Sequence, residues 1–192
     1  MVYGASGYTG KLILEYIYQH VEGLGTDVTF ALAGRTPAKL HARLDEIKQK
    51  FPDVAYVPDV LRADIADAMD IRLLALSARC VLNVAGPFMN TNAHLLVQAC
   101  LEYDCDYVDV NGEVPFTHKL IGLHDYAKKR RVIVCPNAAG AGGLPDVAAF
   151  FAANALRLKT DADISSMHTF MHSNGGVPSG GTLATRAAMT KA

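Results

Sequence analysis

The 192 residues read as an α/β chain: a doubly wound, mostly parallel sheet followed by the start of a second, α+β domain. Three observations carry that reading. Short, Val-rich apolar runs alternate with amphipathic segments of helical period up to about residue 157, as expected of parallel strands covered on both faces by crossover helices. A glycine-rich turn joins the first apolar run to the first helix. Beyond residue 158 the alternation stops, and a Gly/Ser/Pro stretch follows.

Taken in order, strands are expected at 1–3, 28–33, 55–57, 80–84, 107–110 and 132–135. Between the second and third lies the clearest helix, in which Leu40, Leu44, Ile47 and Phe51 fall on one stripe. Thr36-Pro37 opens it as N-cap and first helical residue, where the missing proline N–H does no harm. Repeated β-α-β units of this kind imply right-handed crossovers. The basic run Lys128-Lys129-Arg130-Arg131 falls where a helix ends, and there it complements the helix dipole. Residues 164–171 read as a further strand leading into the 173–181 stretch. The expected division is therefore a nucleotide-binding domain over 1–157 and the opening of a substrate or dimerisation domain over 158–192. A central strand usually runs about five or six residues, yet three precede Gly4. The sequence thus reads as a piece of a longer protein, with a little missing in front and more behind.

Composition bounds the partners. With 51% hydrophobic and 19% charged residues the chain is of globular type. A formal charge of -1 offers no electrostatic reason to expect nucleic acid or an anionic membrane. No apolar run approaches the ~20 residues of a membrane span, and no signal peptide precedes the first motif. The four cysteines lack C-x-x-C spacing, which suits a reduced, intracellular setting, with the cytoplasm the simplest expectation. Cys80 and Cys135 are expected to be buried in strands.

The turn Gly4-Ala5-Ser6-Gly7-Tyr8-Thr9-Gly10 has the strand-loop-helix setting of a dinucleotide site. Its glycines let the backbone turn and approach a pyrophosphate closely, while N–H groups of the helix start point at phosphate oxygens. Ser6 and Thr9 add hydroxyl donors. At the end of the second strand, sites that prefer NAD(H) place an Asp or Glu for the ribose 2′-hydroxyl. Here Arg35 stands in that place, with Lys39 one helical turn on. A guanidinium fork suits a 2′-phosphate, so the expected cofactor is NADP(H) rather than NAD(H). Two more strand ends should line the cleft. Asp64 would meet the adenine amino group, or else cap a helix. Asn83, Ala85, Gly86 and Pro87 would lie by the ribose and nicotinamide, or else form an ordinary turn.

The segments GASGYTG at 4–10, AGR at 33–35, LNVAGPF at 82–88 and YVDVNGE at 107–113 together resemble the NADP-binding domain of saccharopine dehydrogenase-like oxidoreductases. The resemblance runs through most of 1–157, and Ser179-Gly180-Gly181-Thr182 is similar to the family's passage into its second domain. It implies a Rossmann domain with an α+β domain inserted or appended, an NAD(P)-linked activity, and relatives among enoyl reductases of lipid assembly. One departure is clear. Many relatives carry a Gly-Phe-Asp-Ser-x-Pro-type segment after the sixth strand, whereas here 137–146 keeps only Pro145-Asp146 of it. The side chains that relatives place there do not carry over.

Candidate chemistry is sparse. Glu113 either faces the nicotinamide side or caps the helix that begins near Pro115, and no catalytic residue is assigned. The short-chain dehydrogenase dyad Tyr-x-x-x-Lys is missing from all eight tyrosines, Tyr126 with Arg130 coming nearest. An acyl-phosphate or semialdehyde reductase would use a cysteine such as Cys135; the competing reading is a buried strand thiol. His168 and His172 have zinc-helix spacing but lie in a strand-like run, and no metal is expected. The activity implied is hydride transfer with an imine, amino-acid or enoyl-lipid substrate. A non-catalytic NADP(H)-binding module of a lipid-associated or scaffold protein is the alternative, and a homodimer of the longer protein stays open.

Overall fold

The computed structural model describes residues 1–20, 28–140, 143–160, 163–170, 172 and 180–190. The elements run β1 (Val2–Tyr3), α1 (Tyr8–His20), β2 (Leu32–Gly34), α2 (Pro37–Lys50), β3 (Val60–Arg62), α3 (Ala68–Leu76), β4 (Cys80–Asn83), α4 (Ala93–Glu102), β5 (Asp106–Asp109), α5 (Val114–Ile121), α6 (His124–Arg130), β6 (Val134–Cys135), α7 (Gly143–Thr160) and α8 (Gly180–Met189). The sheet is parallel at every ladder, in the order β3-β2-β1-β4-β5-β6. The chain therefore starts in the middle, winds out to β3, returns to β4 beside β1, and winds out again to β6. The reversal lies between β1 and β4.

Strand alternation distributes the core over both faces. Val2 and Leu32 pack with Leu14, Tyr18, Leu40, Leu44 and Ile47 of α1 and α2. Tyr3, Val81 and Tyr107 face the other way, toward Ile71, Leu74, Leu96, Val97 and Phe116. The α2 stripe is as expected, with Thr36 extended at the N-cap, proline in the first turn, and Phe51 half-buried at the C-cap. The basic run also falls at a helix end, where Arg131 adopts φ 58°. Arg130 reaches further, donating from Nε to Leu101 O (3.1 Å) and from Nη2 to Glu102 O (2.8 Å). It thereby satisfies carbonyls that the end of α4 leaves without intrahelical donors.

The third strand is not where the apolar run suggested. Residues 54–59 are irregular, and the ladder begins at Val60. Pro58 has no N–H to give, and Tyr56 is engaged sideways. Its hydroxyl donates to Phe30 O (2.7 Å) and accepts from Phe30 N–H (2.9 Å), while its ring stacks on Phe30 at 4.9 Å. The same bonds shorten β2 from the expected 28–33, because Phe30's backbone groups are satisfied by a side chain instead of a strand.

The cysteines also need correction. Cys80 is half-buried and Cys135 exposed. β6 is an edge strand, so the side of Cys135 and its neighbour Ile133 meets solvent. Residues 164–170 form no strand: among the described residues none offers them a ladder, and Phe170 is 92% exposed. Met171 and most of 173–181 lie outside the described residues, and His172 sits on irregular backbone. No helix among the described residues is long and apolar enough to cross a membrane.

Candidate cofactor site

The carboxyl ends of β1, β2 and β4 meet at the reversal of strand order, the place where open α/β sheets bind their ligands. Gly4 leaves β1 with φ 88°, a conformation that L side chains rarely adopt. A Cβ on it would also lie 2.8 Å from the backbone nitrogen of Ala85. The Gly4 N–H donates to Ala33 O (2.9 Å), and the Gly7 N–H donates back to Gly4 O (3.0 Å). Gly10 allows α1 to cross the loop, since a Cβ there would come within 2.5 Å of Ala5 O. Ala5 is buried beneath the turn, while Gly7 and Tyr8 are exposed and Ser6 and Thr9 half-buried. The N–H groups of Tyr8 and Thr9 at the start of α1 have no backbone acceptor among the described residues. An anion can be met there with amide donors and a favourable helix dipole.

Arg35 is exposed just past β2, and Lys39 is exposed in the first turn of α2. Arg43 was not anticipated. It donates from Nη2 to Ser6 O (3.2 Å) and pairs with Glu46, while its buried Nε has no partner among the described residues. It braces the glycine loop from α2 and keeps one N–H uncommitted beside it. A helical wheel held the signal, since 43 is three residues after Leu40 and four before Ile47, at the rim of the buried stripe. Asp64 closes a local turn, its Oδ1 accepting from Ala66 N–H (3.0 Å), and does not cap α3. The helix cap is Asp67, whose Oδ1 accepts from Met69 N–H at 2.8 Å and Asp70 N–H at 3.3 Å.

The β4 end is built from within. Asn83 is fully buried; its Oδ1 accepts from Ala85 N–H (3.0 Å) and its Nδ2 donates to the Tyr107 hydroxyl (3.1 Å). It shapes the Ala85-Gly86-Pro87 turn, with a cis bond before Pro87, instead of reaching outward. Tyr107 donates to Asp109 Oδ2 (3.0 Å), and Asp109 Oδ1 accepts from Asn111 N, Asn111 Nδ2 and Asn137 N at 2.7–3.0 Å. Burial first, then the Asp109 carboxylate, push the Tyr107 phenol far above its ordinary range. Glu113 stands at the start of α5 but does not cap it as one of its two expectations had it. Its side chain makes no cap bond to α5; the buried carboxylate accepts from Phe88 N–H (2.9 Å) and Met89 N–H (2.6 Å), across the cleft rim. A separate apolar cleft of about 400 Å³ lies between α5, α6 and β6. It lacks the glycine turn and the strand-order reversal, so it is not the dinucleotide site.

Residues 1–135 match the family model described as the saccharopine dehydrogenase NADP binding domain. The chain belongs to this family. NADP(H) is the cofactor of this NADP-binding domain, and the glycine turn, helix start and Arg35 fit it. Among curated relatives, this chain is 31% identical over 182 residues to a lipid droplet localized protein of Caenorhabditis elegans, covering 94% of this chain and 41% of that one. It is 28% identical over 185 residues to a putative trans-acting enoyl reductase of Mycobacterium tuberculosis, covering 96% and 42%. Saccharopine dehydrogenase (L-Glu forming) of Saccharomyces cerevisiae superposes with a TM-score of 0.63 at 15% identity, over 82% of this chain and 31% of that one. That likeness is one of fold. The chain thus spans about two fifths of the length of these curated relatives.

Proposed function

We propose that this chain is the cofactor-holding part of an NADP-dependent oxidoreductase that moves a hydride to or from an imine, amino-acid or enoyl-lipid substrate. The observation that carries the proposal is the convergence at one sheet edge of the glycine turn, the Arg35 end of β2 and the turn after β4. The bound cofactor supplies the hydride chemistry. The chain's own part is to bind and orient. Amides of 6–10 face the pyrophosphate, Arg35 and Lys39 take the 2′-phosphate, Asp64 lies toward the adenine, and Ala85, Gly86 and Pro87 flank the nicotinamide side. Residues 158–192 open the unit that forms the substrate pocket. Relatives bearing the names of an enoyl reductase and a lipid droplet protein support the lipid class.

One observation favours a second reading, a non-catalytic NADP(H)-binding module. Asn83, Asp109, Asn111 and Glu113, the polar residues at the β4 and β5 ends, all spend their side chains on internal bonds. Oxidation of NADPH by the full-length protein, screened against imine and enoyl substrates, decides between the two; silence against both classes favours the module. For the site itself, Arg35→Ala should weaken NADPH by about 1.5–3 kcal/mol, the scale of a hydrogen bond to a charged group, and leave NADH little changed. Equal losses would remove Arg35 from the 2′-phosphate.

A further inference from the structure

Glu113 is almost fully buried, at 2% exposure, and among the described residues no lysine or arginine pairs with it. Burying a carboxylate is costly unless donors replace its water. Here the donors come from two separate parts of the chain. Phe88 N–H and Met89 N–H hold one oxygen each, and both belong to the segment that continues the Ala85-Gly86-Pro87 turn. The third donor is the Thr185 hydroxyl of α8, 2.8 Å from Oε1 and 72 residues away in sequence. Glu113 itself is held from behind, its N–H donating to Asn111 Oδ1 (2.8 Å) while Asn111 donates to Asp109.

Helix capping does not account for this carboxylate, because the α5 start takes Glu113's carbonyl and not its side chain. What the carboxylate touches is the rim of the cleft on one side and α8 on the other. We infer that Glu113 is a positioning residue that fixes the 85–89 turn against the nicotinamide half of the cofactor, with Thr185 of α8 completing the clamp. Binding of the nicotinamide half is thereby tied to the docking of α8. The inference rests on the NADP(H) site proposed above, and it concerns a part of that site the adenosine half never reaches. β2 and Arg35 lie on the far side of β1 from β4.

The test compares NADPH with 2′,5′-ADP, which carries the adenosine half alone, on the full-length protein. Glu113→Gln puts an amide donor against the Phe88 or Met89 N–H. It should weaken NADPH about tenfold, the scale of one lost charge-assisted bond, with 2′,5′-ADP affinity retained. The emission shift of bound NADPH, which reports the surroundings of its nicotinamide ring, should shrink in parallel. Thr185→Val removes one hydroxyl without shortening the side chain, and should give the same pattern at about threefold. Equal losses for both ligands in Glu113→Gln, or an NADPH affinity unchanged in both variants, overturn the inference. Should Glu113→Gln fail to fold, Thr185→Val alone decides: unchanged NADPH binding overturns it. A wild-type protein that binds neither ligand overturns the NADP(H) site itself and this inference with it.

Discussion

Helix α4, within residues 1–135, and helix α7, within residues 143–190, are both rich in apolar side chains but place them in opposite ways. In α4 the apolar residues Leu96, Val97, Ala99, Cys100 and Leu101 are buried against the sheet. In α7 no side chain is buried, although the helix carries Leu144, Val147, Phe150, Phe151, Leu156 and Leu158. Hydrophobicity alone does not place a residue inside; a packed neighbour does. α4 has the parallel sheet, α3, α5 and α6 around it, whereas α7 lies beyond the last strand of that sheet. Thr185 of the second region is tied to the first by its bond to the buried Glu113 carboxylate.

Substitutions can break this contrast, beginning with the largest effect. Leu96→Ala in the 192-residue chain should cost about 2–5 kcal/mol of unfolding free energy, as for other fully buried leucines. Chemical denaturation checks it, and a cost under 1 kcal/mol would mean that the α4 core is looser than its burial suggests. Gly4→Ala should cost about 1–3 kcal/mol from overpacking against Ala85, with positive-φ strain added, and it should abolish cofactor binding as well. A variant of normal stability that binds NADPH normally would contradict the geometry of the turn.

Tyr107→Phe comes next, at about 1–3 kcal/mol, because it strips Asp109 and Asn83 of a buried partner. The tyrosine also sets a pH dependence. Its folded pKa is raised above the ordinary 10.0, so its contribution is complete below pH 10 and is lost progressively as pH climbs from there toward the folded pKa. Alkaline melts should show this loss in the wild type and a shallower one in the phenylalanine variant. The smallest effect belongs to α7. Leu158→Ser, at a position 88% exposed, should change stability by no more than about 0.5 kcal/mol in the 192-residue chain. A larger cost in the full-length protein would sharpen the comparison by locating what covers this helix.

Much of the first region was legible in the sequence, because its determinants are local. The glycine turn needs only its strand-loop-helix setting, and α2 announces itself through the period of Leu40, Leu44 and Ile47 and through Thr36-Pro37. The parallel, doubly wound character of the sheet followed from repeated β-α-β units. What escaped depends on contacts distant in sequence. Tyr56 takes over the backbone of Phe30, 26 residues away, and so moves both β2 and β3. Glu113 is set by Phe88, Met89 and Thr185, none of which a local pattern links to it. Edge position decided Cys135, since an apolar strand run looks alike whether it ends a sheet or lies within one. Residues 164–170 have strand composition but no ladder, and composition cannot supply a partner.

Gly4 and Ala85 lie so close that no Cβ fits between them, where the glycine turn proposed to receive the pyrophosphate meets the turn proposed to flank the nicotinamide. Asn83 and Glu113 pin the second turn from below, and the Ala33 carbonyl pins the first. The two turns therefore form a single preorganised wall. A dinucleotide meeting it has little loop disorder to quench, so more of its contact energy is left to appear as affinity.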